Sequence, residues 1–268
     1  MVEHERLAEA EAALRALCIA GPDDFGPRLW LGRVLYRQKK PGPAIVVLEQ
    51  AVELDPASTD AQYLLGRALT DNGEWGDAVR ALRRVTALLP AWGPGWLALG
   101  DALGGMGHID EAEDSLKRAL ELAPRLAVAF YNYANLLLQV GRIDEAIGHY
   151  RRAIELDPDF RRGHSNLLYA LNFSEALAPP EVYRAHLEWA ARFAEPLTAA
   201  ATAHPGGPPG KKPLRVGYVS LNFRDHAAIY FFEPVLKHHD GSAFSIYCYS
   251  DVEAPDARTE RLRAHPSI

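Results

Sequence analysis

The phrase VELDP, at residues 52–56, returns three times in related form at intervals of 34 residues. The later copies are TALLP at 86–90, LELAP at 120–124 and IELDP at 154–158. Two other columns keep the same interval: alanine at 10, 44, 78, 112 and 146, and glycine at 73, 107 and 141. Columns that keep one register over several copies indicate a structural repeat rather than a bias of composition.

A 34-residue period is typical of the tetratricopeptide repeat, in which two helices, A and B, are joined by a turn. It predicts full repeats at 25–58, 59–92, 93–126 and 127–160, between a partial repeat at 1–24 and a decaying repeat at 161–173. Helix A of each full repeat has a small residue that lets helix B approach: Gly32, Gly66, Gly100 and Ala134. We therefore expect a mainly α fold, a right-handed superhelix whose helices A line a concave, peptide-binding surface.

After residue 173 the repeat pattern is lost. We expect a capping helix within 174–198, docked on the repeats through Val182, Leu187, Ala190 and Phe193. Residues 199–213, AAATAHPGGPPGKKP, have the composition of a linker.

The last predicted domain, 214–268, changes from helical to strand periodicity. LRVGYVS at 214–220 and FSIYCYS at 244–250 predict two buried strands, and a helix is expected between them at 227–239. The spacing is that of a βαβ unit. Because two strands do not make a stable α/β sheet, we expect this Rossmann-like segment to be truncated.

Composition excludes several classes of partner. The chain has 268 residues, a formal net charge of −6 and a pI of about 5.9, which argues against nucleic acid. No uncharged run predicts a membrane span, and the N-terminus has no signal-peptide pattern. The two cysteines, Cys18 and Cys248, lie in different segments and indicate reduced thiols of a cytoplasmic protein. The oligomeric state is left open.

Three asparagines mark the C-terminal end of the predicted concave surface. Asn132 and Asn166 occupy the same repeat position, 34 residues apart, and Asn135 follows Asn132 by one turn. A side-chain amide offers both a donor and an acceptor, so it can hold a peptide backbone. The pattern therefore predicts peptide binding here; the alternative is that these are solvated side chains or local helix caps.

The loop VSLNFRDH, at residues 219–226, follows the first predicted strand and so lies at the carboxyl edge of the sheet, where ligands bind in α/β folds. Here His226 can serve as a general base or contact a phosphate. The alternative is a loop histidine bonded to a backbone carbonyl. Further on, His238, His239 and Asp240 are adjacent along a helix end and do not face one another, so we expect no metal site. The residues also indicate no cofactor.

The order of these parts, and above all LRVGYVSLNFRDHAAIYFFEPVLKHHDGSAFSIYCYSD at 214–251, resembles the bacterial and plant-type O-linked N-acetylglucosamine (O-GlcNAc) transferases, the SPINDLY-like group. The resemblance implies a GT-B fold, of which the α/β segment would be the N-terminal start. It also implies transfer of N-acetylglucosamine, or of fucose in some members, from a nucleotide sugar to serine or threonine of proteins that the repeats select.

On this resemblance His226 corresponds to the active-site histidine, and Asn132 and Asn166 correspond to asparagines that hold the substrate backbone. Asn222 and Ala227 depart from the family pattern, which has aspartate before the phenylalanine and proline after the histidine. The family holds its donor, UDP-N-acetylglucosamine, mainly in a C-terminal domain, so no donor-binding residue is assigned in this chain. We therefore expect the N-terminal portion of an enzyme, inactive alone; the alternative is a non-catalytic repeat scaffold that binds extended peptides.

Overall fold

The computed structural model describes residues 2–201, 213–252 and 255–265. The chain divides into two compact units, Met1–Ala200 and Ala201–Ile268. Most of the linker predicted at 199–213 lies outside the described residues. Within the described ranges, no helix is long and apolar enough to cross a membrane.

The first unit is built from consecutive helices. Their bounds are α1 Val2–Ala20, α2 Phe25–Arg37, α3 Pro41–Leu54, α4 Thr59–Asn72, α5 Trp75–Leu88, α6 Gly93–Met106, α7 Ile109–Leu122, α8 Ala127–Gln139, α9 Ile143–Leu156 and α10 Arg161–Leu171. Helices α2, α4, α6 and α8 are the A helices of successive repeats, and each packs on the next. One continuous core of buried residues extends from Leu31 to Leu171. The predicted tetratricopeptide repeats are confirmed, while the right-handed sense of the superhelix stays a prediction.

The small residue of helix A marks the point where the two helices of a repeat touch. A β-carbon at Gly32 or Gly66 would lie 2.5 Å from the side chain of Leu48 or Leu82, and one at Gly100 would lie 2.7 Å from Leu116. All three leucines come from helix B and are buried. The glycines are therefore required by close helix packing.

The turn after helix A uses the left-handed backbone region. Gly73, Gly107 and Gly141 have φ of +80°, +85° and +80°, a conformation that glycine adopts without strain. In the first repeat Lys39 takes this place with φ of +61°.

A repeated side-chain hydrogen bond joins helix A to the proline that closes the preceding repeat. Gln62 donates to the carbonyl of Pro56 at 3.3 Å, and the Trp96 indole N–H donates to that of Pro90 at 2.9 Å. His164 Nε2 lies 3.0 Å from the carbonyl of Pro158, the same contact two repeats on from Trp96. Because a carbonyl can only accept, His164 carries a proton on Nε2. Glutamine, tryptophan and histidine have in common only a side-chain N–H that can extend to this carbonyl. The shared role of positions 62, 96 and 164 is therefore not visible in the residue types alone.

The first unit ends with α11 Pro179–Trp189, a π-helical turn Ala190–Ala194 and α12 Glu195–Ala200. Val182 and Ala185 of α11 pack on the repeat core, and Phe193 is buried. The predicted docking of Leu187 is wrong, because this side chain is 50% exposed. Five residues advance a helix by about 140° beyond a full turn, so Leu187 faces away from the side that Val182 docks.

The second unit contains β1 Leu214–Ser220, α13 Ile229–Lys237, β2 Phe244–Ser250 and α14 Ala257–Arg263. The strands are parallel, in a register that pairs Leu214 with Phe244. The order strand, helix, parallel strand confirms the predicted βαβ arrangement, whereas a wider Rossmann-like GT-B domain stays a prediction.

The core of the second unit is small, and it corrects the prediction that both strands are buried. Alternate strand residues face this core: Val216 and Tyr218 of β1, and Ile246 and Cys248 of β2. On the other face Val219 is 79% exposed and Tyr249 is 60% exposed. The described helices cover only one side of the sheet, so a continuous apolar strand is half exposed.

Candidate functional site

Two adjoining recesses run along the A helices of the repeats. The larger, of about 480 Å³, is lined by Thr70, Asp71, Trp75, Gly100, Asp101, Gly104, Gly105, Leu116, Asn132, Asn135, Leu136 and Gln139. The smaller, of about 380 Å³, is lined by Asn135, Leu138, Gln139, Ile143, Tyr169 and Phe173. Asn135 and Gln139 belong to both recesses, so two side-chain amides stand between them. We call the two recesses together the groove.

Two of the three predicted asparagines form one hydrogen-bonded cluster. Asn166 of α10 donates from Nδ2 to Asn135 Oδ1 at 2.9 Å and to the Tyr131 hydroxyl at 3.1 Å. Tyr150 of α9 donates its hydroxyl to the same Asn135 oxygen at 2.6 Å. The amides are half-buried. We call Asn135, Asn166, Tyr131 and Tyr150 the amide cluster.

Asn132 behaves differently from the other two asparagines. It lines the larger recess and is half-buried. Among the described residues its side-chain amide has no hydrogen-bond partner, so both its donor and its acceptor are available to a ligand. The structure therefore places all three asparagines on helix A surfaces but joins only Asn135 to Asn166. Binding of peptide by these residues stays a prediction.

Charged residues lie at and beside the N-terminal end of the groove: Asp71 and Asp101 line it, and Arg67 lies near them without lining it. Arg67 lies over the rings of Tyr36 and Tyr63, 5.9 Å from each centroid. Burial raises the pKa of Tyr36 to about 12, and neighbouring Asp71 adds to the shift. Desolvation by the surrounding protein raises the pKa of Asp101, against the opposing charge of Arg67. The groove therefore changes from charged and aromatic at this end to amide and aromatic at the other.

A sequence signal for this end did exist. Residues 33, 67, 101, 135 and 169 are one repeat column, and they read Arg, Arg, Asp, Asn and Tyr. All five carry a polar group at a helix A position, as expected of side chains that lie outside the apolar core. Because no residue type recurs along the whole column, a search for identical residues passes over it.

His226 lies in the second unit, between β1 and α13, and is exposed. Its ring Nδ1 is 3.1 Å from the backbone N–H of Ala228, and its carbonyl accepts from the N–H of Ile229. The ring therefore bonds to a backbone N–H and not to a backbone carbonyl, while an active role for His226 stays a prediction. Since Nδ1 accepts from an N–H, the neutral ring carries its proton on Nε2, the nitrogen left for a ligand.

The neighbouring histidines have separate partners. His238 Nδ1 is 2.7 Å from the carbonyl of Pro234, and His239 Nε2 is 2.8 Å from the hydroxyl of Tyr218. Asp240 accepts from the backbone and side chain of Ser242. In the part of the chain that the structure describes, no three potential ligand side chains converge on a metal position.

Comparison with known proteins agrees with the repeats. A tetratricopeptide repeat family model matches residues 97–159, and a model of anaphase-promoting complex, cyclosome, subunit 3 matches residues 3–85. The probable UDP-N-acetylglucosamine–peptide N-acetylglucosaminyltransferase SPINDLY of Oryza sativa subsp. japonica is 37% identical over 106 residues, covering 40% of this chain and 11% of that protein. A solved structure of a Thermobaculum terrenum O-GlcNAc transferase mutant is 36% identical, with a TM-score of 0.62, over 78% of this chain and 40% of that chain.

The chain contains tetratricopeptide repeats and resembles the O-GlcNAc transferases of the SPINDLY type. It spans well under half of the length of the relatives above. YrrB, described as a tetratricopeptide-repeat protein with an unusual peptide-binding site, covers 70% of this chain at 20% identity and a TM-score of 0.51. That likeness concerns the fold alone.

Proposed function

We propose that this O-GlcNAc-transferase-like chain is the substrate-binding, N-terminal portion of a protein O-glycosyltransferase. In this proposal the groove holds an extended segment of the acceptor protein, and the complete enzyme moves N-acetylglucosamine from UDP-N-acetylglucosamine to a serine or threonine. The observation that carries the proposal is the 36% identity to the Thermobaculum terrenum enzyme over 78% of this chain. The amides that line the groove supply the chemistry that holds a peptide backbone.

Peptide binding by the groove is proposed to depend on Asn132, Asn135 and Asn166. A peptide backbone offers carbonyl acceptors and N–H donors along its whole length, and side-chain amides can pair with both. Asn132 has both groups free among the described residues and lies in the larger recess.

His226 is proposed to act on the acceptor hydroxyl in the complete enzyme. During transfer the hydroxyl oxygen forms a bond to the sugar carbon, the bond from that carbon to the nucleotide diphosphate breaks, and the hydroxyl proton passes to the departing diphosphate or to water. The neutral imidazole has its proton on Nε2, because Nδ1 accepts the Ala228 N–H. This setting favours a role in which Nε2–H donates to the hydroxyl oxygen and orients it, rather than removing its proton. We assign no donor-binding residue in this chain and expect it to transfer no sugar alone.

A second candidate function is a scaffold that only binds peptides. One observation favours it: every residue that lines the groove belongs to the first unit. The coding DNA after codon 268 separates the two functions. A long in-frame continuation supports the enzyme, and a stop codon with a stable protein supports the scaffold.

The test of peptide binding uses a random peptide library displayed against the immobilised chain. A selected peptide is labelled and titrated against wild type and against the double variant Asn132→Ala/Asn166→Ala. We expect the double variant to bind more weakly by about 1–2 kcal/mol, the net value of one or two hydrogen bonds. Failure to select any peptide, or equal affinity of the two proteins, would contradict the proposed groove.

A further inference from the structure

The hydroxyl of Tyr150 approaches the groove from inside the repeat. Tyr150 is on helix B of the fourth repeat, is fully buried, and donates to Asn135 Oδ1 at 2.6 Å. Burial raises the pKa of Tyr150 to about 12, so the phenol keeps its proton at neutral pH. Asn135 thus receives a permanent donor from the protein interior.

The oxygen of Asn135 has a second donor. Asn166 reaches it from the next helix A at 2.9 Å. A carbonyl oxygen has two lone pairs, so both are used by these two bonds. The groups left for a ligand are the amide nitrogen of Asn135 and the amide oxygen of Asn166. Neither atom has a hydrogen-bond partner among the described residues, and neither is one of the buried atoms that lack a partner. Both atoms are therefore accessible to a ligand.

The amide nitrogen of Asn135 and the amide oxygen of Asn166 are together complementary to a peptide backbone. A hydrogen bond between two side-chain amides uses the oxygen of one and the nitrogen of the other. What remains is one donor group and one acceptor, which is the set that a peptide backbone needs for its own carbonyl and N–H. Asn135 also lines both recesses of the groove, so its amide stands in the path of a bound chain.

We propose that Tyr150 is a positioning residue, which orients Asn135 so that Asn135 and Asn166 together present one donor and one acceptor to the backbone of a bound polypeptide. This inference rests on the proposed peptide-binding function of the groove. It narrows the ligand: the segment that crosses the amide cluster needs a free backbone N–H for the Asn166 oxygen. Proline has no such group, so segments with proline at that residue bind weakly.

Asn132 is independent of this arrangement. Its amide has no partner among the described residues, so the Tyr150 hydroxyl does not set its orientation. Loss of that hydroxyl is therefore expected to weaken the contacts of Asn135 and Asn166 and to leave the contact of Asn132 unchanged.

The first test compares two substitutions that each remove one tyrosine hydroxyl. The probe is a fluorescein-labelled peptide selected from a random display library on the wild-type chain, and its affinity is read by fluorescence anisotropy. Tyr150→Phe is expected to weaken binding by about 3- to 10-fold, the effect of one hydrogen bond. Tyr133→Phe is the control, because the Tyr133 hydroxyl donates to Glu113 at 2.7 Å, away from the groove, and Tyr133 is equally a core residue.

A double variant then tests whether Tyr150 acts through Asn135. Asn135→Ala removes the amide that Tyr150 orients, so adding Tyr150→Phe to it should cost no further affinity. Adding Tyr150→Phe to Asn132→Ala should weaken binding by about the same 3- to 10-fold as in wild type. An equal loss in both backgrounds would overturn the positioning role, because it would show that the hydroxyl acts on the groove in general.

The second test needs no change at Tyr150 and therefore stands even if that variant is unstable. Each backbone N–H of the probe peptide is replaced in turn by an ester oxygen. The ester replacement at one position is expected to weaken binding to wild type by about 3- to 10-fold. The same replacement should not change binding to Asn166→Ala, which lacks the acceptor oxygen. The same ester sensitivity in both proteins would overturn the inference, while peptide binding itself would still support the proposed function. If no library peptide binds wild type, the proposed function and this inference fail together.

Discussion

Replacing Gly66 by alanine tests the packing that holds the repeats together. Gly66 is an interior residue of α4, and an added β-carbon would lie 2.5 Å from Leu82 Cγ and 2.8 Å from its Cδ2. Leu82 is fully buried, so it cannot turn into solvent to make room. Overpacking of this kind costs about 1–3 kcal/mol.

Helix propensity acts in the opposite direction, and a control variant isolates it. Alanine is favoured over glycine inside a helix by about 1 kcal/mol. Gly148, inside α9, has no atom within 4 Å of the position of a β-carbon. Gly148→Ala should therefore gain about 0.5–1 kcal/mol, whereas Gly66→Ala should lose about 0–2 kcal/mol after the gain in propensity is subtracted, which leaves it about 1–3 kcal/mol below Gly148→Ala.

The assay is urea unfolding of wild type and both variants, followed by far-ultraviolet circular dichroism. The difference between the two variants gives the packing cost alone, because the propensity gain is common to both. A Gly66→Ala protein as stable as Gly148→Ala would refute the close approach of the helices. Adding Leu82→Ala should remove most of the penalty at Gly66, since it removes the atoms that the new methyl group meets.

Three further predictions follow from the contacts above. Hydrogen bonds from Lys117, Tyr133 and Arg142 hold the pKa of Glu113 at about 2, below its ordinary 4.5. The ionised carboxylate therefore stabilises the folded state fully above about pH 4.5, and this stabilisation is lost as pH falls towards 2. Over that range the melting temperature of wild type should fall more than that of Glu113→Gln. Gln62→Leu removes the donor to the Pro56 carbonyl and should lower stability by about 1 kcal/mol in urea unfolding, whereas Gln50→Leu, at an exposed position, should change it little. In the protein encoded by the complete reading frame, His226→Ala should slow sugar transfer by about 10²-fold, the effect of a misoriented hydroxyl, without changing peptide affinity; equal turnover would show that His226 is only a loop residue.

The repeat fold could be predicted because each of its columns has a single physical cause. Gly66 and its equivalents leave room for a leucine, and Gly73 and its equivalents adopt positive φ. These requirements are local, and they recur every 34 residues, so they remain visible in one sequence. The exposed side chain of Leu187 shows what an apolar pattern does not predict. An apolar residue in an amphipathic helix was assigned to the buried face, although its angle from Val182 places it on the other side.

The candidate site was only partly predictable for a different reason. The positions of Asn132, Asn135 and Asn166 follow from repeat spacing, but their hydrogen bonds depend on side-chain directions that spacing does not specify. The bond from Tyr150 to Asn135 joins helix B to helix A and has no counterpart in the earlier repeats, where leucine stands at the position of Tyr150. The exposure of one strand face could not be predicted, because an apolar run predicts a strand without showing how many helices cover it.

The groove is proposed to deliver protein segments to a glycosyltransfer reaction. The most direct measurement is mass spectrometry of a groove-binding, serine-containing peptide after incubation with UDP-N-acetylglucosamine and the protein encoded by the complete reading frame. We predict addition of one N-acetylglucosamine to the peptide, with a slower rate for Asn132→Ala/Asn166→Ala at peptide concentrations below saturation. A folded protein that binds the peptide but transfers neither N-acetylglucosamine nor fucose from its nucleotide would contradict the account.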